Sequence, residues 1–425
     1  MSTTDAVSTP TDAPPIWKQQ HEKNMILRRR GLDSASSIRA DAMAAECRDR
    51  LVKSIRKIAT SCGNNVNRSK LGLLLSGGVD SSAILQAAAS IDVELAAAVT
   101  VVIIDPDNPN RRPPDDELYA TEASRLYNND NDDDDSSSPP RNSMQHSIVR
   151  LSPSQLIEEY SRPTIQRLAL WGYMDTRNSL IISAALHEAS KLGLTDVIVG
   201  DNADELFGGS YDVYFHEKFA NDPEGWKEKR DGMADLPFVT QKLGDSYNIT
   251  VHQPFIDQEL FVQWALRETT RNDCISKCSI QSQLGGPYTV QNCGKIPLRE
   301  AFCTLASWRR MDWIFRGSGA EEGDILVDHF NTSIGISDDE FQSQQTDYLD
   351  EGIKIVTKEH LHNIRLFKSI FDGLNHPTKK RYPIGDPRGC ISCCFEIGDE
   401  QFCHLCDQYP AQHPRKNESM VWNGH

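Results

Sequence analysis

The sequence predicts an α/β fold in which a parallel sheet is flanked by helices. Three apolar runs, residues 71–75, 94–105 and 196–200, have the length and the Leu, Val and Ile content of buried parallel strands. Helical segments separate these runs, and strands that alternate with helices form parallel sheets. The 425 residues can hold one large domain or two.

Periodicity and capping residues predict the helices. An amphipathic helix is expected over residues 36–60, because its apolar residues fall three or four apart. Ser152 as N-cap and Pro153 at the first position start a helix that reaches about residue 168, and Pro163 should kink or break it. The other predicted elements are helices over 115–128 and 180–192, one or two helices within 337–374, and a short strand over 147–151.

Composition narrows the class of protein. The net charge of −16 argues against a nucleic-acid partner. No apolar run approaches the ~20 residues of a membrane helix, and the N-terminus lacks the basic and apolar regions of a secretory signal. Eleven cysteines without such a signal indicate reduced thiols and a metal site rather than a disulfide framework. We therefore expect a cytoplasmic protein.

Two segments are predicted to be disordered. Residues 1–30 are rich in Ser, Thr and Pro and then basic, as in a flexible arm. Residues 128–146 contain an acidic tract too polar to pack, so we interpret them as an insertion, with Mg²⁺ capture as the alternative. The domain arrangement that follows is an arm (1–30), the α/β domain (31–330), a helical extension (331–380) and a cysteine-rich module (385–413).

The stretch LGLLLSGGVDSS, residues 71–82, predicts a phosphate site. A turn of Ser76, Gly77 and Gly78 lets backbone N–H groups approach an oxyanion, and the following helix points its positive end there. The hydroxyls of Ser81 and Ser82 add donors, as that of Ser76 does. Among phosphate donors, the acid Asp80 is expected to hold Mg²⁺. The stretch thus predicts binding of a Mg-nucleotide.

A second stretch, GDNADELFGGSY, follows the strand 196–200. Its three acids, Asp201, Asp204 and Glu205, would repel one another unless a cation or hydrogen bonds held them. The alternative is an N-capped helix with acids in its first turn. Because ligands bind at the carboxyl ends of parallel strands, both stretches should meet at one edge of the sheet.

These residues resemble a known family. SGGVDSS is similar to the signature of the PP-loop ATP pyrophosphatases, and GDNADELFGGSY to a motif of the asparagine synthetases. The resemblance implies an adenine nucleotide α-hydrolase-like, Rossmann-like domain that cleaves ATP between the α- and β-phosphates. It implies that Asp204 shares Mg²⁺–pyrophosphate with Asp80, and that Asp201 lies near the reacting carboxylate. Leu75, Ile103, Val199 and Gly200 fall where the family holds the adenosine.

The resemblance continues to about residue 319. KIPLREAF, residues 295–302, and SWRRMDWIFRGSG, residues 307–319, are similar to segments that reach the phosphates. Met311 stands where the family has Lys, so Arg309, Arg310, Arg316 or Lys295 would supply the charge. Two further departures are Asp201 in place of Glu and Asn202 in place of Gly. The family's glutaminase domain is expected to be absent, because the ATP motif appears by residue 76.

Two CxxC pairs near the C-terminus predict a metal site. The pair Cys390 and Cys393 and the pair Cys403 and Cys406 are separated by nine residues. This is the spacing of a tetrahedral, structural Zn²⁺ site of zinc-ribbon type. FCHLCDQYP is also similar to zinc-ribbon tails of some small asparagine synthetase-like proteins. The alternative is four unconnected structural thiols.

The function implied by the resemblance is an AMP-forming amide ligase. A substrate carboxylate, aspartate by resemblance, would become an acyl-adenylate and pass to ammonia or an amine, with a separate glutaminase as a possible nitrogen source. ATP, Mg²⁺ and Zn²⁺ are the implied cofactors. Two alternatives stay open: a PP-loop enzyme that thiolates tRNA, which would also combine SGGxDS with CxxC pairs, and a non-catalytic scaffold.

Overall fold

The central element is a five-stranded parallel sheet, which confirms the predicted α/β class. The computed structural model describes residues 15–29, 33–63, 70–106, 112–128, 144–209, 219, 221–234, 238–281, 283–309, 320–398, 400 and 402–412. The strands are β1 (Leu71–Leu74), β2 (Ala97–Ile103), β3 (Gln145–Leu151), β4 (Asp196–Ile198) and β5 (Thr250–His252). Their order is β3-β2-β1-β4-β5, and every pairing is parallel.

Helices connect the strands and extend the chain beyond them. The first seven are α1 (Ile16–Arg29), α2 (Ser34–Gly63), α3 (Val79–Ala89), α4 (Asp115–Asn128), α5 (Pro153–Leu168), α6 (Tyr173–Lys191) and α7 (Ala203–Phe207). The later ones are Pro223–Ala234, Thr240–Gly244, Gln263–Glu268, Arg271–Cys274, Ile296–Ala301, Ala320–Thr332, Asp338–Asp350 and Lys358–Ile370. An antiparallel hairpin of β6 (Ser276–Gln281) and β7 (Tyr288–Cys293) lies outside the main sheet. Among the described residues, no helix is both long and apolar enough to span a membrane.

The two faces of the sheet belong to two apolar cores. Successive strand residues point to opposite faces, so Ile198 joins the core that contains α2 and α3. Its neighbour Val197 joins the core that contains α5, α6 and the C-terminal part of the chain. Both faces of the sheet are therefore covered, as the continuous apolar strands predict.

The N-terminal segment corrects one expectation. Residues 16–29, predicted as part of a flexible arm, form α1, which docks on the β6–β7 hairpin. Asn24 exchanges two hydrogen bonds with the backbone of Ser279, at 2.7 and 2.9 Å. Arg28 forms an ion pair with Glu300 at 2.5 Å. The polar composition of this segment gave no signal of a helix. Its specific contacts are hydrogen bonds and an ion pair, and it has no wide apolar stripe. Residues 1–14 lie outside the described part.

Helix α5 confirms its predicted start and corrects the prediction for Pro163. The Ser152 side chain accepts a hydrogen bond from Gln155 N at 3.2 Å, and Gln155 Oε1 accepts one from Ser152 N at 2.9 Å. This reciprocal pair is a capping box. The helix nevertheless continues through Pro163 to Leu168. Burial of the apolar face on both sides of Pro163, from Leu156 to Ile165, stabilises the helix against the lost hydrogen bond.

The ends of the acidic insertion are joined directly. Residues 129–143 lie outside the described part, so the predicted disorder is not tested there. On either side, Asn128 Nδ2 donates to Met144 O at 3.0 Å, and Met144 N donates to Asn128 Oδ1 at 3.1 Å. The two ends of the insertion therefore meet at one point between α4 and β3.

The C-terminal module shares a core with the sheet. The four cysteines of the CxxC pairs belong to the same apolar cluster as Val197 in β4. Trp171 packs edge-on against Phe367 and Phe395, with ring centroids 4.6 and 5.5 Å apart. The predicted boundaries of separate modules at residues 331–380 and 385–413 therefore do not correspond to separate apolar cores.

Candidate active site

The turn after β1 has the conformation that its glycines permit. Gly77 has φ +70°, and a Cβ there would lie 2.7 Å from Asp116 O. Gly78 is the N-cap of α3 and carries no side chain to occupy the helix N-terminus. The Ser76 and Ser81 hydroxyls lie 3.2 Å apart, and Ser76 Oγ accepts from Gly78 N at 3.3 Å. The predicted donors Ser76 and Ser81 are thus together, and Ser81 and Ser82 are both buried in α3.

Two acids from separate stretches meet at one lysine. Lys295 Nζ lies 2.6 Å from Asp80 Oδ2 and 2.7 Å from Asp204 Oδ2. Asp80 is in the first turn of α3, after β1, and Asp204 is in the first turn of α7, after β4. Strands β1 and β4 are parallel neighbours, so their carboxyl ends bring the acids together. We call Asp80, Asp204 and Lys295 the acid–lysine cluster.

The backbone around Lys295 places its ammonium between the acids. Lys295 is fully buried, has φ +57°, and donates its N–H to Phe207 O at 2.8 Å, which is the last residue of α7. One turn later, buried Arg299 donates to Gly294 O at 2.8 Å and to Ser307 O at 2.6 Å. The segment that carries Lys295 is therefore fixed on both sides.

Burial and charge shift the pKa values of the acid–lysine cluster in defined directions. Burial raises the pKa of the Asp80 carboxyl to about 6; the Lys295 ammonium opposes this shift and the Asp204 charge adds to it. Burial alone would lower the pKa of Lys295, but the Asp204 and Asp80 carboxylates raise it above its usual value. The lysine is therefore charged, and Asp80 exchanges its proton at mildly acidic pH.

The acids of the cluster are suitable ligands for Mg²⁺. Asp80 Oδ1 is buried and has no hydrogen-bond partner among the described residues. The carboxylates keep some access to solvent, with 15% of the Asp80 side chain and 24% of the Asp204 side chain exposed. Two carboxylates beside a phosphate-binding turn are the donor set by which Mg²⁺ with bound phosphates is held in proteins. The residues therefore fit the ion.

Asp201 does not join the acid–lysine cluster. Its Oδ2 accepts from Thr240 Oγ1 and from Gln253 Nε2, both at 2.7 Å. Burial raises the pKa of Asp201, and these two hydrogen bonds oppose the shift. Asn202, which replaces the family's usual Gly, keeps the left-handed conformation with φ +77° and donates to Phe255 O at 3.1 Å. Asn tolerates that conformation, which explains why the replacement preserves the turn.

Arg309 is fixed beside the glycine turn. It donates to Gly77 O at 3.1 Å, forms an ion pair with buried Asp116, and lies 4.7 Å from the centre of the Tyr119 ring. The sequence prediction placed Arg309 near the phosphates, and the structure places it against the turn that would hold them. Arg310 and Met311 lie outside the described residues.

The other predicted residues line the same edge or lie just beneath it. A Cβ on Gly200 would come within 2.9 Å of Asp80 Cβ, so only glycine allows this approach. Leu75 donates its N–H to Val99 O at 2.9 Å, and its carbonyl accepts from Thr100 Oγ1 at 2.6 Å. Buried at this edge are also Ile103, Val199 and Glu205.

Several contacts of the site were not predicted. Thr240 and Gln253 lie 39 and 52 residues from Asp201 in the sequence, and no local pattern connects them with it. In the sequence, Asp116 and Tyr119 are only part of the helix predicted over residues 115–128. The contact of Lys295 with the two acids has one indication in the sequence, the KIPLREAF segment, which makes Lys295 a candidate replacement cation.

The cysteine cluster has the arrangement of two matched knuckles. Cys390, Cys393, Cys403 and Cys406 are buried, and their Sγ atoms all lie within 4.8 Å of one another. The residue after each CxxC pair, Cys394 or Asp407, has a positive φ. This confirms that the four thiols come together, and buried converging thiols fit a structural Zn²⁺ ion. Cys394 Sγ instead donates to Gly352 O at 3.3 Å.

Comparison with known proteins finds a family match over part of the chain. Residues 63–273 match the family model described as asparagine synthase. None of the curated proteins compared with the chain matches it. One similar solved structure is that of NMN synthetase from Francisella tularensis, with 13% identity, a TM-score of 0.26, and coverage of 77% of this chain and 95% of that chain. At that score the likeness carries no argument. The similarity to the asparagine synthase family, a family of ATP-using ligases, covers residues 63–273, just under half of the chain.

Proposed function

We propose that this protein is an AMP-forming amide ligase that activates a carboxylate, with aspartate as the leading substrate, and transfers it to ammonia or an amine. The observation that carries the proposal is the acid–lysine cluster beside the glycine turn. Asp80 and Asp204 converge there from the ends of β1 and β4. A plain glycine turn would not require two acids and a buried lysine at this edge.

The turn and α3 supply the phosphate site. The positive N-terminus of α3, with Gly78 as its N-cap, attracts phosphate oxygens, and the flanking backbone N–H groups donate to them. Arg309 carries its guanidinium against the same turn, where it fixes the Gly77 carbonyl. These groups orient ATP so that its α-phosphate faces a carboxylate bound at the end of β4.

The acid–lysine cluster stabilises the charge that develops during adenylation. The substrate carboxylate attacks the α-phosphorus, the bond to the bridging α–β oxygen breaks, and pyrophosphate leaves with the electron pair. Lys295 is charged and buried, so it stabilises negative charge on that leaving group. Mg²⁺, held by Asp80 and Asp204, would neutralise phosphate charge as a Lewis acid. The nitrogen donor then attacks the acyl carbon, and AMP departs.

Asp201 is the proposed positioning group for the acyl substrate. Thr240 and Gln253 both donate to its Oδ2, which fixes the carboxyl plane at the end of β4. A short Asp held in this way is set back by about one C–C bond, roughly 1.5 Å, from the position of a Glu. The pocket therefore has room for a substrate group or water that a Glu would displace. The nitrogen comes from ammonia, an amine or a separate glutaminase.

ATP–pyrophosphate exchange tests this function. Purified protein is incubated with Mg²⁺, ATP, labelled pyrophosphate and one carboxylate at a time, from aspartate through other amino acids to simple dicarboxylates. We expect label to enter ATP only when the correct carboxylate is present, and aspartate to be the first to succeed. A reaction without carboxylate is the control. Absence of exchange with every carboxylate, in protein that binds ATP, would contradict the proposal.

A further inference from the structure

A third group of polar side chains lies away from both sites described above. Cys62 is near the end of α2, Asp196 begins β4, and His252 ends β5. Asp196 pairs with Leu71 at the start of β1, whereas the nucleotide turn follows the end of β1. Asp196 therefore lies toward the edge of the sheet opposite the acid–lysine cluster. His252, whose Cα is paired with Ile198, brings its imidazole to Asp196 from the neighbouring strand.

The potential ligand atoms of these three side chains converge. His252 Nε2 lies 2.8 Å from Asp196 Oδ1 and 3.6 Å from Cys62 Sγ. One donor atom from each residue lies within 4.8 Å of the other two. Cys62 and Asp196 are buried, and 18% of the His252 side chain is exposed.

The geometry does not suit nucleophilic catalysis by Cys62. In a Cys–His–Asp arrangement one imidazole nitrogen takes the thiol proton, and the acid orients the ring through the other nitrogen. Here the thiol and the carboxylate both face Nε2. Convergence of three different donor atoms on one point is instead the arrangement of metal ligands.

We propose that Cys62, Asp196 and His252 form a second zinc site with three protein ligands and an open fourth position. Zn²⁺ takes sulfur at about 2.3 Å and nitrogen or oxygen at about 2.0–2.2 Å, so tetrahedral sulfur and nitrogen ligands lie about 3.5 Å apart. The observed Sγ to Nε2 distance of 3.6 Å fits this value. Nitrogen and oxygen ligands lie about 3.4 Å apart, so Asp196 Oδ1 moves outward by about half an ångström on binding.

Neighbouring groups orient the carboxylate for this role. Thr195 Oγ1 donates to Asp196 Oδ2 at 2.8 Å, and Lys70 N donates to Thr195 Oγ1 at 3.1 Å. These bonds fix the Asp196 carboxylate with Oδ1 toward His252. Hydrogen bonds of this kind to the atom that does not bind metal are typical around ligating carboxylates.

A metal here would connect the long helix α2 to the edge of the sheet. Strand β5 is an edge strand that pairs only with β4 in the described sheet. Zinc ligands from α2, β4 and β5 would join three elements that are far apart in the sequence. The partly exposed imidazole leaves the fourth ligand position to water. The proposal does not depend on the function of the acid–lysine cluster.

Zinc stoichiometry tests the proposal. Full-length protein is loaded with Zn²⁺, separated from excess metal by gel filtration, and analysed for zinc per chain by elemental analysis. We expect two equivalents in the wild type, one in the cysteine cluster and one here. Cys62→Ser and His252→Gln should each retain one equivalent. Asp196→Asn, which keeps the shape of the side chain, should bind the second zinc more weakly by at least about tenfold.

Two matched controls separate metal loss from general damage. Cys303→Ser replaces a half-buried thiol outside both clusters, and His146→Gln replaces a part-buried imidazole that bonds Thr100 at 2.8 Å. Both controls should keep two equivalents. One equivalent in the wild type that is unchanged in the Cys62 and His252 variants would overturn the proposal. Two equivalents retained by the Cys62 and His252 variants would overturn it as well.

Discussion

The acid–lysine cluster and the cysteine cluster gather polar atoms in opposite ways. In the first, three charged groups meet, and one buried carboxylate oxygen has no hydrogen-bond partner among the described residues. The two acids of this cluster remain partly exposed. In the second, four thiols are at most 3% exposed and belong to an apolar core shared with the sheet. The first cluster has unused capacity to bind a ligand from solvent, while the second is closed.

This difference distinguishes a site suited to a reaction from a site suited to a structural metal ion. A reaction site must admit substrate and must hold charges that a ligand later rearranges, so some of its polar groups stay poorly satisfied. A structural metal site gains most when it is dry and complete. The module around the cysteine cluster also supports the fold, because Asp407 Oδ2 accepts from Met174 N at the first turn of α6, at 2.6 Å. Changes at the two clusters should therefore have different effects.

The largest effect on activity is expected from the acids of the acid–lysine cluster. Asp80→Asn and Asp204→Asn keep the shape of each side chain but remove a charge from the proposed site for Mg²⁺ and phosphate. We expect each to lower kcat by about 10²–10³-fold with little change in melting temperature. Release of AMP and pyrophosphate measures the effect.

The matched control for these variants is at the other end of α3. Asp92 follows that helix with φ +54°, a conformation that Asn tolerates well. Asp92→Asn should therefore leave kcat and stability unchanged. Wild-type activity in Asp80→Asn or Asp204→Asn would show that the acids do not act on the phosphates.

The next largest effect is on stability, at the cysteine cluster. Cys403→Ser combined with Cys406→Ser should remove one zinc per chain and lower the melting temperature by on the order of 10 °C, because the cluster shares a core with the sheet. Cys394→Ser is the matched control, since Cys394 is buried beside the cluster and contacts Gly352 instead. An unchanged zinc content and melting temperature in the double variant would exclude a structural metal there.

A smaller effect is expected from pH. Burial raises the pKa of Asp80 to about 6, and its carboxylate form is needed, so kcat/KM should fall as pH decreases through about 6. The contribution of Asp80 to stability changes with pH in the opposite direction. A pKa raised in the folded state means that this group's contribution to stability is full below the unfolded pKa of about 3.9 and is lost as pH rises through about 6.

A lysine variant distinguishes Asp80 from titration of ATP itself. Lys295 lowers the pKa of Asp80, so Lys295→Gln should move the acidic limb of the kcat/KM profile to higher pH. Titration of ATP would leave that limb in place. A limb that does not move in the variant, or a wild-type profile that is flat down to pH 4.5, would show that Asp80 does not control the acidic limb.

The smallest effect is expected from shortening the acidic insertion. Deletion of residues 129–139 should leave the melting temperature and ATP affinity unchanged, because Asn128 and Met144 already bond to each other where the insertion begins and ends. Thermal unfolding and ATP binding measure the result. A decrease of more than about 5 °C would mean that the insertion packs on the domain.

Local patterns were sufficient to predict four of the five strands of the main sheet and the candidate motifs, but not β5 or the β6–β7 hairpin. The apolar run before SGGVDSS predicted β1, and the acids after β4 were expected at the same edge because the strands are parallel. The spacing of the four cysteines predicted their convergence. Each of these features is encoded within a few consecutive residues.

Long-range contacts could not be predicted in the same way. Lys295 reaches Asp80 and Asp204 across 215 and 91 residues. Helix α1 docks through Asn24 and Arg28, whose partners lie in distant parts of the chain. Such pairings depend on tertiary packing, and a single sequence carries no periodic signal for them.

The most direct test of the account follows the carboxylate oxygen. Protein is incubated with ATP, Mg²⁺, ammonia and the carboxylate that supports exchange, labelled with ¹⁸O on the reacting carboxyl group. If that carboxylate attacks the α-phosphorus, mass spectrometry should find one ¹⁸O in the AMP and none in the pyrophosphate. Formation of ADP and phosphate, or AMP without label, would contradict cleavage between the α- and β-phosphates by the substrate carboxylate.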